Sequence, residues 1–407
     1  MDKLRLGTSY WIDQFTGTAP QHPVLKGAHH VHIAVIGGGI TGCLAAHAFV
    51  HAGFSVLLLE ANRIARGSTA ASTALLMQEP DLDFRDLATR YGAERARAIW
   101  LQSAKSVRGL VALIRRLRIT ADLQEVRSAY WTSRTASVRD LQGELSRRHR
   151  AGIPGRWLTE RALSRLIGVA GAGGILTSGN AVVDPYRTCL GLAERLRAAG
   201  VKIYERSPVR RVRGSSHGVR IELDNGEIGA EWAVIATGYA TREFKPLAGR
   251  FRMSSTFVIT TAPLDLGLHR RLGGGVMWWD TETPYHYSRW TPDRRLLFGG
   301  RDIPKVSEGA RASMLSRQTE HLRADLSRVY PALEHTAIDY AWDGLFATTS
   351  DGLPYIGTHR HYPRHLFALG YGGNGMTFGF LAAEVLVRTV RNTITASDRF
   401  LGFHRIR

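Results

Sequence analysis

Three glycines and one acidic residue near the start of the chain have the spacing of a dinucleotide-binding motif. Gly37, Gly39 and Gly42 follow the β-branched run 31–36 and open a helical stretch, and Glu60 ends the next strand. Gly37 permits a tight turn, Gly39 lets the backbone approach a pyrophosphate at the positive end of the helix, and Gly42 allows the helix to pack closely on the strand. Glu60 can accept a hydrogen bond from a ribose hydroxyl. Together these features predict that the chain binds a dinucleotide.

The elements that would position this motif fall into two groups. Strand and helix patterns alternate around the motif and in two later sections, which is typical of a Rossmann-like α/β domain. Short strands joined by turn residues in the section between them predict an antiparallel sheet. We therefore predict a discontinuous Rossmann-like domain with an inserted antiparallel-sheet substrate domain, α+β overall. The predicted nucleotide-binding segments are 28–80, 172–240 and 341–407, the inserted segments are 81–171 and 241–340, and 1–27 is an N-terminal extension.

The composition is that of an ordinary folded globule and excludes disordered, collagenous and coiled-coil proteins. The chain has 407 residues, of which 44% are apolar, and a formal net charge of +19. Its length is enough for two or three domains. Of the 54 basic residues only six are Lys, and the basic residues are scattered along the chain. An anionic partner and an Arg-rich solvated surface both explain the charge. We expect no specific nucleic acid, only weak association that falls with salt.

The cysteines and the N-terminal residues bear on location. Cys43 and Cys189 are too few for a disulfide framework, and neither has the spacing of a zinc site. Residues 1–10 lack the apolar core of a signal peptide, and no apolar run is long enough to predict a membrane helix. We therefore expect a cytoplasmic protein without a metal site or a transmembrane segment.

Several motifs give the chain a resemblance to a known family. They are the strand–turn–helix at 31–42, Arg66-Gly67-Ser68-Thr69, Asp184-Pro185, the strand end at 234–238, and residues 342–357 followed by the glycine-rich segment 370–377. With these motifs the chain resembles the D-amino-acid oxidase (DAO) family of FAD-dependent oxidoreductases along nearly its whole length. Within that family, residues 9–11 and 349–357 are most similar to the γ-glutamylputrescine oxidase and glycine-sarcosine oxidase type. The resemblance implies a glutathione-reductase-like FAD fold.

The resemblance also implies a set of contacts to FAD. Arg66, Ser68 and Thr69 would cover the diphosphate and the flavin. The Val209 backbone would contact the adenine, and Gly238 would flank the dinucleotide. The turn 370–375 would lie against the isoalloxazine, because side chains there would collide with the ring, and the positive end of the following helix would stabilise negative charge on the reduced flavin. A glycine-rich helix start without a ligand is the alternative for this turn. The implied cofactor-binding residues are Gly37, Gly39, Ile40, Thr41, Gly42, Glu60, Arg66, Ser68, Thr69, Val209, Gly238, Gly372, Gly373, Asn374, Gly375, Met376 and Thr377.

Two departures from the family pattern bear on the cofactor and the substrate. Members that attach flavin covalently use a Cys or a His near positions where this chain has 346–349 and 69–72, without either residue, so we expect non-covalent FAD. Members that act on α-amino acids resemble Gly-Leu-Arg-Pro at a point where Phe346 replaces the Arg that would clamp an α-carboxylate. Arg289 and Arg301 are candidates for a substitute clamp, with a surface role as the alternative.

Acidic and aromatic residues are the candidates for binding a cationic amine. Glu79 and Asp81 follow the flavin-side loop. The aromatic candidates lie on the strands of the inserted sheet, where ordinary packing is the alternative, and they are Trp278, Trp279, Tyr285, His286 and Tyr287. His286 is expected to be a satisfied sheet histidine, because hydride transfer from a neutral amine needs no base for the carbon-bound hydrogen. The substrate-pocket candidates are Glu79, Tyr285, Tyr287 and Phe346, and no catalytic residue is assigned.

The sequence thus predicts an FAD-dependent enzyme that oxidises a C–N bond of a small amine to an imine by hydride transfer to flavin N5. Oxidation of a secondary or D-amino acid such as sarcosine or glycine is one alternative. An RNA-modifying flavoprotein and a flavin-binding protein without turnover are the others. The electron acceptor is oxygen or an unknown carrier.

Overall fold

Two β-sheets form the framework of the protein, of which the computed structural model describes residues 3–239 and 243–405. The described strands are Arg5–Gly7 (β1), Gly27–Ile36 (β2), Val56–Leu59 (β3), Leu75–Leu76 (β4), Gln124–Thr132 (β5), Arg156–Thr159 (β6), Gly173–Val182 (β7), Lys202–Tyr204 (β8), Val209–Gly214 (β9), Val219–Leu223 (β10), Gly226–Gly238 (β11), Phe251–Thr261 (β12), Val276–Asp280 (β13), His286–Trp290 (β14), Leu296–Pro304 (β15), Ile338–Thr349 (β16), Tyr355–His359 (β17) and Tyr362–Leu369 (β18).

The described α-helices lie mostly against these sheets. They are Tyr10–Asp13 (α1), Ile40–His51 (α2), Ser68–Ala71 (α3), Phe84–Tyr91 (α4), Ala93–Arg116 (α5), Val138–Arg150 (α6), Glu160–Ile167 (α7), Pro185–Ala198 (α8), Lys245–Ala248 (α9), Leu266–Arg271 (α10), Glu308–Val329 (α11), Gly375–Val390 (α12) and Ala396–Arg399 (α13). Short 3₁₀ helices span Thr135–Ser137, Pro331–Leu333 and Phe403–Arg405. No helix within the two described ranges has the length and apolar character to cross a membrane.

The eight-stranded sheet carries the glycine motif. Its strands β18-β11-β2-β3-β8 are parallel, β17 pairs antiparallel with β18, and β10 and β9 extend from β11. The inner strands are continuous apolar runs, because helices cover parallel sheets. Helices α2, α8 and α12 share one hydrophobic core with this sheet, and a second core lies on its other face. This sheet confirms the predicted Rossmann-like fold.

The ten-stranded sheet has the order β1-β16-β12-β15-β14-β13-β5-β7-β4, with β6 paired to β7. Its pairs are antiparallel except for β13 with β5, which are parallel. Strands β7 and β16 belong to this sheet, although they lie in segments predicted for the nucleotide-binding domain, and β1 of the predicted extension forms its edge. The division into domains stays a prediction, and its ends at 240, 241 and 407 lie outside the described residues.

Local sequence signals explain where several helices begin and end. The Asp184 side chain accepts a hydrogen bond from Arg187 N–H at 2.9 Å, and Pro185 occupies the first turn, so this Asp-Pro pair, a pattern that predicts a helix start, begins α8. The apolar spacing of residues 84–119 predicts one long helical section, but the structure has two helices there, α4 and α5. Gly92 between them has φ of 83°, a left-handed conformation that stops α4.

A buried ion pair fixes the N-terminal arm, residues 3–14, to the edge of the ten-stranded sheet. Arg311 and Asp343 are completely buried, with Arg311 Nε 2.7 Å from Asp343 Oδ2. Arg311 also donates to the Lys3 carbonyl, and the Leu6 N–H donates to Asp343 Oδ1 at 2.7 Å. Because both charges and both backbone groups are satisfied together, the arm is an integral part of the sheet.

The N-terminal arm also holds α3. Trp11 Nε1 donates to the Ser72 carbonyl at 2.8 Å, and Ser9 Oγ donates to the Ala70 carbonyl at 2.6 Å. From β16, Trp342 Nε1 donates to the Ala71 carbonyl at 2.9 Å. Three consecutive carbonyls at the end of a short helix, which would otherwise lack partners, are therefore satisfied from outside the helix.

Candidate active site

The turn 37–42 joins β2 to α2 and is too tight for side chains at two of its glycines. Gly37 has φ of 115°, and a Cβ there would lie 2.5 Å from the Ala236 carbonyl oxygen. A Cβ on Gly42 would lie 1.8 Å from the Gly37 carbonyl oxygen. A Cβ on Gly39 would meet only Thr69 Oγ1, at 3.0 Å. The space in front of Gly39, at the start of α2, fits a group that approaches the helix end closely.

Glu60 sits at the end of β3, beside this turn. Its Oε2 accepts from the Gly38 N–H at 2.7 Å and its Oε1 from the Asn62 N–H at 2.8 Å. Burial raises the pKa of Glu60, and the two backbone hydrogen bonds oppose this. The Ser207 N–H donates to the Glu60 carbonyl at 3.0 Å, which brings the start of β9, Val209, into the same corner. The predicted ribose and adenine contacts thus lie together.

Helix α3 lies over the start of α2. Thr69 Oγ1 accepts from the Ile40 N–H at 3.0 Å, and Ser68 Oγ donates to the Leu345 carbonyl at 2.9 Å. Thr41 is buried and Arg66 is exposed. The structure therefore brings Thr69 to the glycine turn and Ser68 to the neighbouring cavity, and it leaves the Arg66 side chain at the surface.

A second glycine turn forms the start of α12. Gly238, Gly372, Gly373, Asn374 and Gly375 line a cavity of about 640 Å³. The Gly370 N–H donates to the Gly238 carbonyl at 3.0 Å, which joins the ends of β11 and β18. Met376 packs in the core, and Thr377 Oγ1 donates to the Met77 carbonyl at 3.1 Å. These two residues fix the helix, whereas the glycines leave its positive end open to the cavity.

The cavity lies between the α12 turn, α3 and the ten-stranded sheet, and its walls are acidic and aromatic. The lining acids are Glu79, Asp81, Asp83, Asp86, Asp280, Glu282 and Asp302, and the lining aromatic residues are Tyr130, Tyr239, Trp279, Tyr285, Tyr287, Phe346 and Tyr371. Arg148 is the basic lining residue. The chain as a whole has a net charge of +19, but this excess of carboxylates makes the cavity negatively charged.

Four of these acids pair with basic side chains. The pairs are Asp83 with Arg148, Asp86 with Arg85, Asp280 with His286 and Glu282 with Arg134. Arg148 is 1% exposed and also pairs with Glu144 at 2.8 Å. Within the described ranges Glu79, Asp81 and Asp302 have no such pair. Among the described residues, these three cavity carboxylates therefore have no ion-pair partner.

Glu79 is 2% exposed and is held by a buried amide. Asn180 Nδ2 donates to Glu79 Oε2 at 3.0 Å and to Ser128 Oγ at 2.7 Å. Asn180 Oδ1 accepts from the Gln78 N–H at 2.9 Å, so its orientation is fixed from both ends. Glu79 Oε1 has no hydrogen-bond partner among the described residues. A buried carboxylate oxygen without a partner is costly and indicates a place for a donor that the protein does not supply.

Asp81 binds the open end of α12. Its Oδ2 accepts from the Gly373 N–H and its Oδ1 from Asn374 Nδ2, both at 2.8 Å. Asp81 faces the open cavity, but desolvation by the surrounding protein raises the pKa of its carboxyl to about 6, against these hydrogen bonds. The charge of Asp302 raises the pKa of Asp81 further, which indicates that these two lining acids lie near each other.

The predicted aromatic candidates divide between two faces of the ten-stranded sheet, because neighbouring residues of a strand point in opposite directions. Trp279, Tyr285 and Tyr287 line the cavity. Trp278 is 1% exposed and packs in the core of the opposite face, where its Nε1 donates to Tyr330. His286 also points away from the cavity. Phe346 on β16 lines it.

His286 lies in an ion-pair cluster on the other side of the sheet. Its Nδ1 is 2.9 Å from Asp280 Oδ2 and its Nε2 is 3.2 Å from Asp325 Oδ2. Burial lowers the pKa of His286, but these hydrogen bonds and charges together raise it to about 9. The cluster borders a second cavity of about 460 Å³. His286 is therefore a satisfied sheet histidine.

Neither predicted substitute clamp reaches the main cavity. Arg289 is 1% exposed, so the surface role considered for it is wrong, and its Nη1 donates to the Thr73, Ala74 and Val183 carbonyls. Burial lowers the pKa of Arg289 to about 10. Arg301 pairs with Asp325 through two nitrogens and lines the second cavity. Both guanidinium groups are occupied by other partners.

Sequence reasoning missed several residues at this site, of which three bear most on its chemistry. Asp302 and Tyr130 line the cavity, and Asn180 holds Glu79. The adjacent glycines 299–300 signal a bulge that would turn Asp302. For Asn180 and Tyr130 no local signal exists, because their positions depend on strand pairing between β5, β7 and β13.

Comparisons with known proteins agree with this arrangement. A model of the family described as FAD dependent oxidoreductase, DAO, matches residues 32–389. The chain is 27% identical over 377 residues to γ-glutamylputrescine oxidoreductase of Escherichia coli (strain K12), covering 90% of this chain and 85% of that protein. It is 26% identical over 373 residues to glycine oxidase of Bacillus licheniformis, covering 86% and 90%. The solved structure of glycine oxidase from Geobacillus kaustophilus has a TM-score of 0.77 at 22% identity, covering 92% of this chain and 98% of that one, and confirms the fold.

Proposed function

The chain belongs to the DAO family of FAD-dependent oxidoreductases, which act on amines or amino acids, and on this basis we propose that it oxidises a C–N bond of a small amine without an α-carboxylate. The observation that carries the proposal is the charge of the cavity. Glu79, Asp81 and Asp302 lack a basic partner in the described ranges, and both candidate clamps, Arg289 and Arg301, bind elsewhere.

The residues at the two glycine turns fit FAD without covalent attachment. Gly39 and the first turn of α2 would take the diphosphate, since a Cβ at Gly39 would project into open space beyond Thr69. Glu60 would bind the ribose, and the Val209 backbone would lie at the adenine. The isoalloxazine would lie in the cavity against residues 372–375, where a Cβ on Gly375 would meet no atom within 4 Å. When bound, FAD accepts the hydride that leaves the carbon beside the substrate nitrogen.

The cavity residues would select and orient the amine. Glu79 Oε1 is a free acceptor for an ammonium or amine N–H, and Asn180 keeps the other oxygen in place. The rings of Tyr285 and Tyr287, with centroids 5.9 Å apart, would lie along the alkyl chain and favour a cation at their faces. Phe346 makes this wall apolar where a carboxylate would need a cation. The aromatic walls would also limit water around the reacting carbon.

A glycine- or sarcosine-like substrate is the second candidate, favoured by the likeness to glycine oxidases. Its carboxylate would need a basic partner in the cavity. Arg148 is the lining candidate, but Glu144 and Asp83 flank it and offset its charge. A carboxylate there would face these acids, and burying it without a cation costs several kcal/mol.

Anaerobic flavin reduction tests the proposal directly. Purified holoenzyme would be mixed with primary and secondary alkylamines, and separately with glycine, sarcosine and D-alanine, while the flavin absorbance is followed. We expect the amines to bleach the flavin faster. Efficient reduction by sarcosine or a D-amino acid, with the amines inert, would contradict the proposal.

A matched pair of variants assigns the role of Glu79. Glu79→Gln should raise KM for a cationic amine more than for a neutral analogue of the same shape, because it removes charge and keeps the side-chain size. Glu125→Gln is the control, since Glu125 is an exposed acid on β5 that pairs with Arg115. Equal effects of Glu79→Gln on both substrates would contradict the assignment.

A further inference from the structure

We infer that the substrate is a diamine, and that Asp302 binds its second, protonated nitrogen while the first nitrogen is oxidised. This inference rests on the proposed function and adds a second charge to the amine. It follows from the position of Asp302 in the cavity wall, from its lack of a cationic partner among the described residues and from a second acid in that wall, Glu79, that also has an oxygen without a partner.

A β-bulge turns Asp302 towards the main cavity. The pairing of β12 with β15 shifts register between Ser255 and Phe257, and opposite this point Gly300 and Arg301 have φ of 148° and 57°. Bulges of this kind redirect the side chains that follow them. Arg301 consequently lines the second cavity and pairs with Asp325, whereas Asp302 lines the main one.

The Asp302 carboxylate has a hydrogen bond with Thr256 but no cationic partner among the described residues. Its Oδ1 is buried and has no hydrogen-bond partner among the described residues. Burial raises the pKa of Asp302, and Thr256 beside it opposes this shift. Its charge also raises the pKa of Tyr285, which places the carboxylate near the cavity tyrosines. A carboxylate in this position is stabilised when a ligand supplies a cation.

Glu79 supplies an independent second acceptor. Its Oε1 is also buried without a partner, and it lies on the segment after β4 beside α12, whereas Asp302 lies on β15. Tyr285 lies near both regions, because its hydroxyl is close to Gly373 and the charge of Asp302 raises its pKa. A single ammonium can neutralise one of these positions. Two amino groups joined by an alkyl chain along the tyrosines neutralise both.

The second nitrogen takes no part in the chemistry. One CH–NH₂ group would lose a hydride from carbon to bound FAD, and a proton from nitrogen to solvent water. Water then hydrolyses the resulting imine to an aldehyde and ammonia. The distal ammonium remains bound to Asp302 throughout, so it contributes to affinity and to the position of the reacting carbon.

The first test compares α,ω-diamines of three to six carbons with n-alkylamines of equal length, in anaerobic flavin reduction and in steady-state turnover with oxygen or an artificial electron acceptor. We expect KM for the best diamine to be about tenfold or more below that of its matched monoamine, the size of one well-placed charge interaction. Asp302→Asn should bring this ratio close to one. Glu125→Gln, which removes an exposed acid outside the cavity that pairs with Arg115, is the control and should keep the ratio.

The second test needs no turnover. A quaternary ammonium has no nitrogen lone pair to assist loss of hydride from the adjacent carbon, so it can report binding alone. A bis(trimethylammonium)alkane and the alkyltrimethylammonium ion of equal length would be titrated into oxidised holoenzyme while the change in flavin absorbance is recorded. The dication should bind about tenfold or more tightly, and Asp302→Asn should remove the preference. If Asp302→Asn does not fold, Asp302→Glu should instead shift the preferred chain to a shorter one.

The outcomes distinguish a failure of the proposed amine oxidation from a failure of the diamine preference. Flavin that no amine reduces overturns the proposed function. Flavin that monoamines and diamines reduce with equal KM leaves that function standing and overturns the diamine, as does equal binding of the two quaternary ions. A diamine preference that survives Asp302→Asn overturns the assignment to Asp302.

Discussion

Alanine substitutions at Gly39 and Gly42 should separate cofactor binding from folding within one motif. Gly39 has φ of −81°, which alanine adopts readily, and its new methyl group would meet only Thr69 Oγ1, at 3.0 Å. The methyl group of Gly42→Ala would lie 1.8 Å from the Gly37 carbonyl oxygen. Gly39→Ala therefore places a methyl group where the diphosphate would approach, whereas Gly42→Ala forces α2 away from β2.

Gly39→Ala should affect FAD affinity more than the unfolding free energy, and Gly42→Ala should mainly lower the unfolding free energy. Thr69 needs to move by only a few tenths of an ångström, so Gly39→Ala should change the unfolding free energy of the apoprotein by less than about 1 kcal/mol. Displacing the diphosphate from one backbone N–H removes a hydrogen bond to a charged group, about 1.5–3 kcal/mol, and weakens FAD about 10- to 150-fold. Gly42→Ala should destabilise the apoprotein by about 1–3 kcal/mol or more, because backbone cannot yield as a side chain can.

Urea unfolding of the apoproteins and fluorescence titration with FAD measure the two effects separately. Gly249→Ala is the control, since a Cβ there would meet no atom within 4 Å and the site is remote from the motif. The reasoning is refuted if Gly39→Ala binds FAD like the wild type, or if it unfolds at a lower urea concentration than Gly42→Ala.

Three further predictions concern the cofactor, the ion-pair cluster and the N-terminal arm. Acid precipitation should release FAD into the supernatant, and a yellow pellet would show a covalent link. The raised pKa of His286, about 9, means that its pairing with Asp280 and Asp325 stabilises the fold fully below pH about 6.5, and that this stability is lost as pH rises through about 9. His286→Gln should therefore remove about 3 kcal/mol at neutral pH and flatten the Tm between pH 7 and pH 10, and an unchanged slope would argue against the cluster. Trp11→Phe keeps an aromatic ring but removes the indole N–H that donates to the Ser72 carbonyl and part of the buried side-chain volume, so urea unfolding should report a loss of about 1–3 kcal/mol or more, and wild-type stability would contradict this role.

The parts of the fold that the sequence could predict are those set by local pattern. The β-branched run before Gly37, the Asp184-Pro185 cap and the glycine turn before α12 each carry their own signal, and each element formed where expected. The limit of this reasoning appears at Gly92. Apolar spacing continues through it and predicts one helix, but its left-handed backbone divides α4 from α5.

The cavity could be predicted only in part, because its walls come from distant segments. Glu79 and Asp81 follow a recognisable loop, but the amide that holds Glu79 is about a hundred residues away in the chain. Asp302 faces the cavity only because a bulge breaks the alternation of β15. In an Arg-rich sequence, nothing distinguishes Arg289 and Arg301 from ordinary surface residues. Only the folded chain shows that Arg289 donates to backbone carbonyls and that Arg301 pairs with Asp325.

The attachment of the N-terminal arm sets the order in which the protein can be completed. Leu6 and Asp343, which share a hydrogen bond, are 337 residues apart in sequence, so the arm emerges from the ribosome long before its strand partner exists. Until then the arm cannot close the edge of the sheet, and Trp342 cannot reach the end of α3. Helix α12, which forms the other wall of the cavity, is made later still. Contacts this distant are slow to form, and the cofactor therefore enters a finished cavity only after nearly the whole chain has been synthesised.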